Sequence, residues 1–490
     1  MLSLQKMFQI TPRYLVLRQR LLMASFWFQF KLIYACIIIL CLLGINYTQS
    51  DINLSVYLTL SFLLLYGFQK IIEYKKGGSF FTADFFIVTM FSLFHFSYLI
   101  LHFFNLAEYD KEVYYFSDYA SKALYFSLMC ISSFLIGYSF FNDLNGTISK
   151  DCNLDNRTLT ILYSISKLLI HVAVVMLILP LLSAPQVFTD YKLLLNLGSL
   201  SPIGKLYWLS QYVAYIGISL YFVSKFKLGV RFFAGKTVYV IAVYALFYIL
   251  IGDRGVFLSY FVVFLICINY YHKKISPTWL LSLFLLLACI SAVLAVTRVE
   301  SIYNPINMAS YYIESSSSDE NPLLKVLIEF GTSIKTVNIV MGFIPEQYDF
   351  WYGKSLIDSF LITLPSIFAT RTAESSIGAW VTVTAFGPLS YTYGRGGSIA
   401  MESYMNFGVY GSIFFFAILG LIISRFFRGF YLSSSITRSV LFLSSLPAIS
   451  MWMRNTSSVS FRIVLWSLFF TLLAILLSKS LRKKNNLFTR

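Results

Sequence analysis

Charge is scarce in this sequence: Asp, Glu, Lys and Arg make up 12% of its 490 residues, against 58% hydrophobic residues. An ordinary soluble domain is roughly a quarter charged, so a chain this poor in charge cannot cover a water-facing surface of matching size. Histidine is almost missing. There are four in all (His95, His102, His171, His272), and none lies in 298–407, so that stretch offers neither an imidazole base nor a histidine metal ligand. The six cysteines (Cys36, Cys41, Cys130, Cys152, Cys267, Cys289) are scattered, five of them within apolar runs, and neither a disulfide framework nor a zinc spacing emerges. No glycine-rich loop ends in Lys-Ser or Lys-Thr, which removes the usual nucleotide-phosphate cradle. The amino terminus is basic and then apolar, yet no small-x-small cleavage pattern follows Leu43 and Gly44, so it reads as a retained first helix.

What the sequence does have is apolar length. Mean hydropathy is +0.72. Stretches such as 32–45 and 464–477 are continuously apolar, which fits helices rather than alternating barrel strands. A helix needs roughly 20 apolar residues to cross a bilayer. The candidate spans are 29–48, 53–70, 80–104, 119–142, 158–184, 203–224, 237–252, 256–271, 278–297, 408–424, 439–453 and 459–478. The expected fold is therefore all-α and polytopic, with about 12 transmembrane helices. Three regions follow: 1–297 with the first nine helices, 298–407 as one large loop, and 408–490 with the last three helices and a basic tail.

The formal charge of +16 is spread through short loops beside apolar spans, which argues for membrane orientation and against nucleic acid. One side collects Lys6, Arg13, Arg18, Arg20 and Lys31, then Lys70, Lys75 and Lys76, then Lys225, Lys227, Arg231 and Lys236. Lys273, Lys274, Arg425, Arg428, Arg438 and the tail 482–490 continue the pattern, while the opposite loops are acidic or neutral. Lys and Arg gather on the cytoplasmic face, so both termini are expected inside and 298–407 outside. The loop 143–157 fits least well, because acids outnumber Lys150 and Arg157. Within 298–407, the segments 323–344 and 356–368 read as interfacial or re-entrant helices over a cavity.

On the outer face the pattern is lopsided toward arginine. Arg254 lies in Gly252-Asp253-Arg254-Gly255, Arg371 and Arg395 lie in the large loop, and Arg454 and Arg462 flank the last outer turn. A guanidinium fork matches phosphate oxygens and stays charged at any relevant pH, so a converging set would bind a pyrophosphate. The plainer reading is snorkelling or pairing with a neighbour such as Asp253. Glu402 opens Glu402-Ser403-Tyr404-Met405-Asn406-Phe407-Gly408, and Asn406 shares its helical face. A carboxylate there serves as general base for a hydroxyl, orients an arginine, or forms a structural salt bridge. Gly408 and Gly411 read as helix-packing contacts. Trp351, Tyr352, Trp380, Tyr391, Tyr393 and Tyr404 offer rings for stacking on sugars, or an interfacial belt. Lys167 and His171, four apart in one span, read as a proton path or as packing.

With these residues in place, the sequence resembles bacterial oligosaccharide repeat-unit polymerases of the Wzy type. The resemblance rests on the architecture of nearly the whole chain, on Gly252-Asp253-Arg254-Gly255, on the Glu402 to Gly411 segment, and on Arg454. Arg371 precedes Gly387, and Arg395 precedes Gly411, each with fifteen intervening residues, which is similar to arginine-to-glycine spacings in loops of that family. The resemblance implies metal-independent, cofactor-free glycosyl transfer at the periplasmic face of the inner membrane. The growing glycan leaves undecaprenyl pyrophosphate and joins the next lipid-linked repeat unit. Glu402 and Arg254 are then expected to be catalytic, Arg254, Arg371, Arg395 and Arg454 to bind pyrophosphate, and Tyr391, Tyr393 and Tyr404 to bind sugar. Membrane lipids and a chain-length regulator are the further expected partners. The alternatives are a lipid-linked oligosaccharide flippase, which would need charges along a central path, and an O-antigen ligase, for which a loop histidine is expected and absent.

Overall fold

The computed structural model describes residues 12–47, 51–76, 78–107, 117–141, 154–183, 202–251, 254–283, 286, 324, 327–328, 330–363, 377–387, 397–432 and 435–487. Among them the elements are helical, with no strand. Hydrocarbon offers no partner to a peptide group, so an apolar run in a membrane bonds its own backbone as a helix. In chain order these are α1 (Pro12–Asn46), α2 (Ile52–Lys75), α3 (Ala83–His95), α4 (Ser97–Phe103), α5 (Ser117–Tyr138), α6 (Asn156–Ser183), α7 (Pro202–Lys227), α8 (Thr237–Ile251) and α9 (Arg254–Tyr271). The large loop then contributes α10 (Ser333–Phe343), α11 (Lys354–Thr363) and α12 (Ile377–Phe386), before α13 (Ile399–Leu432), α14 (Ile436–Trp452) and α15 (Ser457–Leu487).

Seven described helices are long and apolar enough to cross a membrane: α1, α2, α5, α6, α7, α13 and α15. The expected span at 80–104 is the bent pair α3 and α4, which turn by 53° at Phe96. The spans expected at 237–252 and 256–271 are the shorter apolar helices α8 and α9, and 439–453 corresponds to α14 with its C-cap Met453. The span expected at 278–297 lies largely outside the described residues. The helix expected at 408–424 is the part of α13 that follows a backbone break at Gly408, and a shorter helical stretch from Ile399 leads into it. Two helices are central. In α5 and α7, 83% of the crossing window is buried, against 28% to 39% in the other five.

Helices α5 and α13 approach each other closely enough to bring glycine against main chain. A Cβ added at Gly137 would overlap the Ala417 carbonyl oxygen, and one at Gly420 would overlap the Phe134 carbonyl oxygen. Helix association in lipid depends on close packing rather than on expelling water, and small residues at the crossing make that approach possible. A second tie joins α1, α2 and α3. Buried Lys70 lies 2.6 Å from Asp84 Oδ2 and 2.7 Å from Glu73 Oε2, and donates to Thr82 Oγ1 at 2.9 Å. Tyr66 donates to Asp84 at 3.0 Å, Gln69 to Glu73 at 2.8 Å, and Tyr34 to Gln69. Buried ion pairs of this kind add little net stability, but removal of one member leaves an uncompensated charge.

Contacts between distant segments sort the chain into two ends. At one, Lys31 lies 4.1 Å from the Phe140 ring, Arg425 lies 5.9 Å from the Phe141 ring, and Asn269 donates to Ser79 at 2.8 Å. There Arg482 also bridges to Asp155 at 2.9 Å. Asp155 caps α6 by accepting from the Thr158 hydroxyl, which together with the Thr158 N–H and Arg482 holds its carboxyl below the usual carboxylate range. This bridge joins the poorly basic 143–157 connection and the basic tail at one end. At the other end, Tyr119 donates to Glu346 at 3.0 Å, and Lys335 and Arg454 lie over the Tyr98 and Phe94 rings. The described parts of the large loop therefore share an end with the start of α5 and the turn between α14 and α15.

The crossing of α5 and α13 leaves no room for a branched side chain. Gly420→Val is expected to cost about 1–3 kcal/mol of stability by overpacking. A lowered thermal midpoint in detergent is the readout, and an unchanged midpoint would rule out the close crossing.

Candidate functional site

The Glu402 segment sits where the large loop meets the bundle. Glu402 is 1% exposed, in the first turn of α13, and each of its carboxylate oxygens accepts two hydrogen bonds. Oε1 accepts from the Ser355 hydroxyl at 3.0 Å and the Ser457 hydroxyl at 2.6 Å. Oε2 accepts from the Ser457 N–H at 2.9 Å and the Trp452 indole N–H at 3.1 Å. The Ser457 N–H opens α15, so the carboxylate lies at the amino-terminal end of that helix as well as its own, where partial positive charge favours an anion. One side chain thus connects α11, the α14–α15 turn and α13.

Asn406 does the same for the loop backbone. Its Nδ2 donates to the Glu402 carbonyl at 2.7 Å and to Ser355 Oγ at 2.5 Å, while its Oδ1 accepts from the Gly353 N–H at 3.0 Å and the Ser355 N–H at 3.4 Å. That uses the full hydrogen-bonding capacity of an amide, and it supplies an acceptor to the exposed N–H groups at the start of α11. Next to it, Trp351 N–H donates to Met405 O and Tyr352 N–H to Asn406 O, both at 3.0 Å. Tyr404 donates to Ile344 O at 2.9 Å. Gly408 then breaks the helix with φ 63° and ψ −164°, and the Phe350 ring lies where a side chain would begin. Gly408 was expected as a packing contact; its backbone conformation gives it the role of a hinge, which glycine adopts without steric cost.

The other candidate residues fall out as follows. Arg254 is the first residue of α9, and its side chain lies outside the described set, as do Arg371, Arg395, Tyr391 and Tyr393. Arg454 follows α14, with its guanidinium 5.9 Å from the Phe94 ring and its carbonyl accepting from Gly397 N–H at 3.3 Å. Gly397 stands two positions after Arg395 in the sequence. Ser259 of α9 and Ser450 of α14 meet at 3.3 Å, so the start of α9 and the end of α14 lie side by side. Arg462 sits against the Tyr212 phenol. Tyr404, expected to stack on sugar, is 7% exposed, its ring edge-on to Phe126 at 5.3 Å and to Phe350 at 6.0 Å. A core-packed ring has no free face for a sugar. Accessible rings lie nearby instead: Trp380 is edge-on to Tyr348 and Trp351, both at 5.3 Å, and Tyr352 is 80% exposed. The sequence also gives a signal for Ser355 and Ser457 that was not read as functional, since each lies in a polar cluster just before an apolar helix, where exposed N–H groups need partners.

Gly408 combines a positive φ with the Phe350 ring 3.1 Å from where a Cβ would stand. Gly408→Ala is expected to cost about 1–3 kcal/mol from the positive-φ backbone alone, read as a drop in thermal midpoint. A neutral result would mean that the break in α13 is absent.

Comparison with curated proteins and comparison with solved structures each give no match. Residues 31–486 match the family described as O-antigen polysaccharide polymerase Wzy. That match runs through the bundle, the docked loop and the Glu402 segment alike, and covers nearly the whole sequence. The chain belongs to the Wzy family of O-antigen polymerases, membrane proteins that join lipid-linked repeat units into O-antigen.

Proposed function

We propose that this polymerase works at the outer face of the inner membrane, with both termini in the cytoplasm, and that arginines at the loop end hold the pyrophosphate of a polyprenyl-linked donor. The observation that carries this reading is the meeting of three arginine-bearing segments at one end of the bundle. The start of α9 lies beside the end of α14 through Ser259 and Ser450, and the Arg454 carbonyl accepts from Gly397, just after Arg395. Arg371 joins the set on sequence grounds alone. Glycosyl transfer from a lipid pyrophosphate places developing negative charge on the leaving diphosphate. Fixed cations in a site shielded from water stabilise that charge without reorganisation. The reaction breaks the bond between the anomeric carbon and the pyrophosphate oxygen and forms one to an acceptor hydroxyl, whose proton is lost. This scheme assigns no metal to the transfer.

The sugar contacts that fit the accessible rings are Tyr348, Trp351, Tyr352 and Trp380, with Tyr391 and Tyr393 kept as candidates. A chain-length regulator is proposed as a partner at the same face. No feature described above favours the flippase or ligase alternatives. Orientation follows from the basic end: Lys31, Arg425 and Arg482 lie with the α5 and α6 termini, and Lys and Arg mark the cytoplasmic side.

Two experiments test the proposal. In a strain lacking its own polymerase and carrying this chain, Arg254→Ala and Arg454→Ala should each lower polymer formation by about 10²–10³-fold, the usual loss on deleting one charge-stabilising donor. A gel of surface polysaccharide should then show single repeat units in place of a ladder, and a full ladder from both variants would refute the arginine site. For orientation, a membrane-impermeant thiol reagent on spheroplasts should label Glu346→Cys, and label Arg482→Cys only after permeabilisation. The reverse pattern would invert the topology and remove the mechanism.

A further inference from the structure

We infer that Glu402 is a positioning residue that holds the large loop and the Arg454-bearing turn in register, rather than the base that deprotonates the acceptor sugar. The inference rests on the polymerase reading above and assigns this one side chain within it. A general base needs a free lone pair aimed at the incoming hydroxyl. Glu402 has each oxygen already occupied by two donors, all from the protein, and is 1% exposed. The donors come from three elements, one of them far from the other two in sequence. Ser355 belongs to α11 in the large loop, while Trp452 and Ser457 bracket the turn that carries Arg454. Removal of the carboxylate leaves four buried donors without partners, each of which costs free energy unless the surrounding backbone moves to find water or another acceptor.

The neighbouring residues serve the same joint. Asn406 fixes Gly353 and Ser355, Tyr404 fixes Ile344, and Gly408 lets the helix turn away beneath Phe350. The segment from Glu402 to Gly408 is thus a seam that stitches residues 344–355 to α13, and Glu402 is the one member that also reaches the α14–α15 turn.

A neutral isostere separates the two roles. In Glu402→Gln, the amide oxygen still accepts from Ser457 N–H and Trp452, while the amide nitrogen donates to the Ser355 and Ser457 hydroxyls, which can turn to accept. A base is lost completely in that variant, and a strut is not. The assay uses membranes holding the full-length chain, supplied with lipid-pyrophosphate-linked repeat units extracted from a strain without polymerase. Activity is normalised to protein present. Glu402→Ala is expected to fall about a hundredfold, as misplaced groups near a reacting centre commonly do. Glu402→Gln should stay within about tenfold of the unsubstituted chain, a loss of one buried hydrogen-bond arrangement, and should keep the acid limb of its pH profile.

A covalent substitute provides the second arm. Ser355 and Ser457 both donate to Oε1 of Glu402, so Ser355→Cys with Ser457→Cys, added to Glu402→Ala, tests whether a covalent link formed by oxidation replaces the carboxylate. Oxidation should restore activity and reduction should remove it. Inactive Glu402→Gln together with no gain from the cross-link, in chains present at normal levels, would overturn the inference, as would full activity of Glu402→Ala. Failure of the unsubstituted chain to make polymer in this assay would instead count against the polymerase mechanism and leave the Glu402 geometry untouched.

Discussion

A carboxylate removed from water has to be given donors by the protein, and the way Glu402 is supplied determines where the large loop lies. The donors are a loop serine, the first serine of the last helix and an indole at the end of the helix before it. Ser355 is about a hundred residues from Trp452 and Ser457, and Glu402 lies between them in sequence, so the cluster is a long-range constraint rather than a local cap. Satisfying it places α11 against the bundle and brings the α14–α15 turn to the mouth of the loop. Asn406 then completes the arrangement by accepting from the N–H groups that open α11. In a membrane protein such polar seams weigh more than surface contacts, because an unpaired group in that setting finds no water to replace its partner.

The same logic explains the shape of the large loop. A stretch of that length between short connections reads as an external domain, yet its described parts are held against the helices rather than projecting from them. Most of α10, from Ser333 to Met341, is buried, and the helix is packed among α3, α5, α12 and α13. The hydroxyl of Tyr119 reaches Glu346 just past it. The described parts of the loop are thus built into the bundle rather than set apart from it.

Much of this was legible in the sequence. Apolar length and the alternation of basic loops marked α1, α2, α5, α6, α7, α13 and α15, since both signals come from the bilayer and act on composition alone. The resemblance to repeat-unit polymerases pointed to the family. The helical face shared by Glu402 and Asn406 was legible from their spacing, whereas the neighbours that consume their polar atoms are not revealed by a single sequence. For the same reason Tyr404 looked like a sugar platform: aromaticity is visible in a sequence, but the Phe126 and Phe350 rings that cover it are not. Trp452, Ser355 and Ser457 went unassigned because each acts only through a partner many residues away.

The paired glycines of α5 and α13 carry one consequence for movement during turnover. With Gly137 and Gly420 each set against the other helix's main chain, neither helix can slide along its partner without driving carbonyl oxygens into carbons. These two helices act as the stator of the machine. Any opening that admits a lipid-borne glycan has to be made by the elements around them, and Glu402 meets that fixed frame across the break in α13 at Gly408.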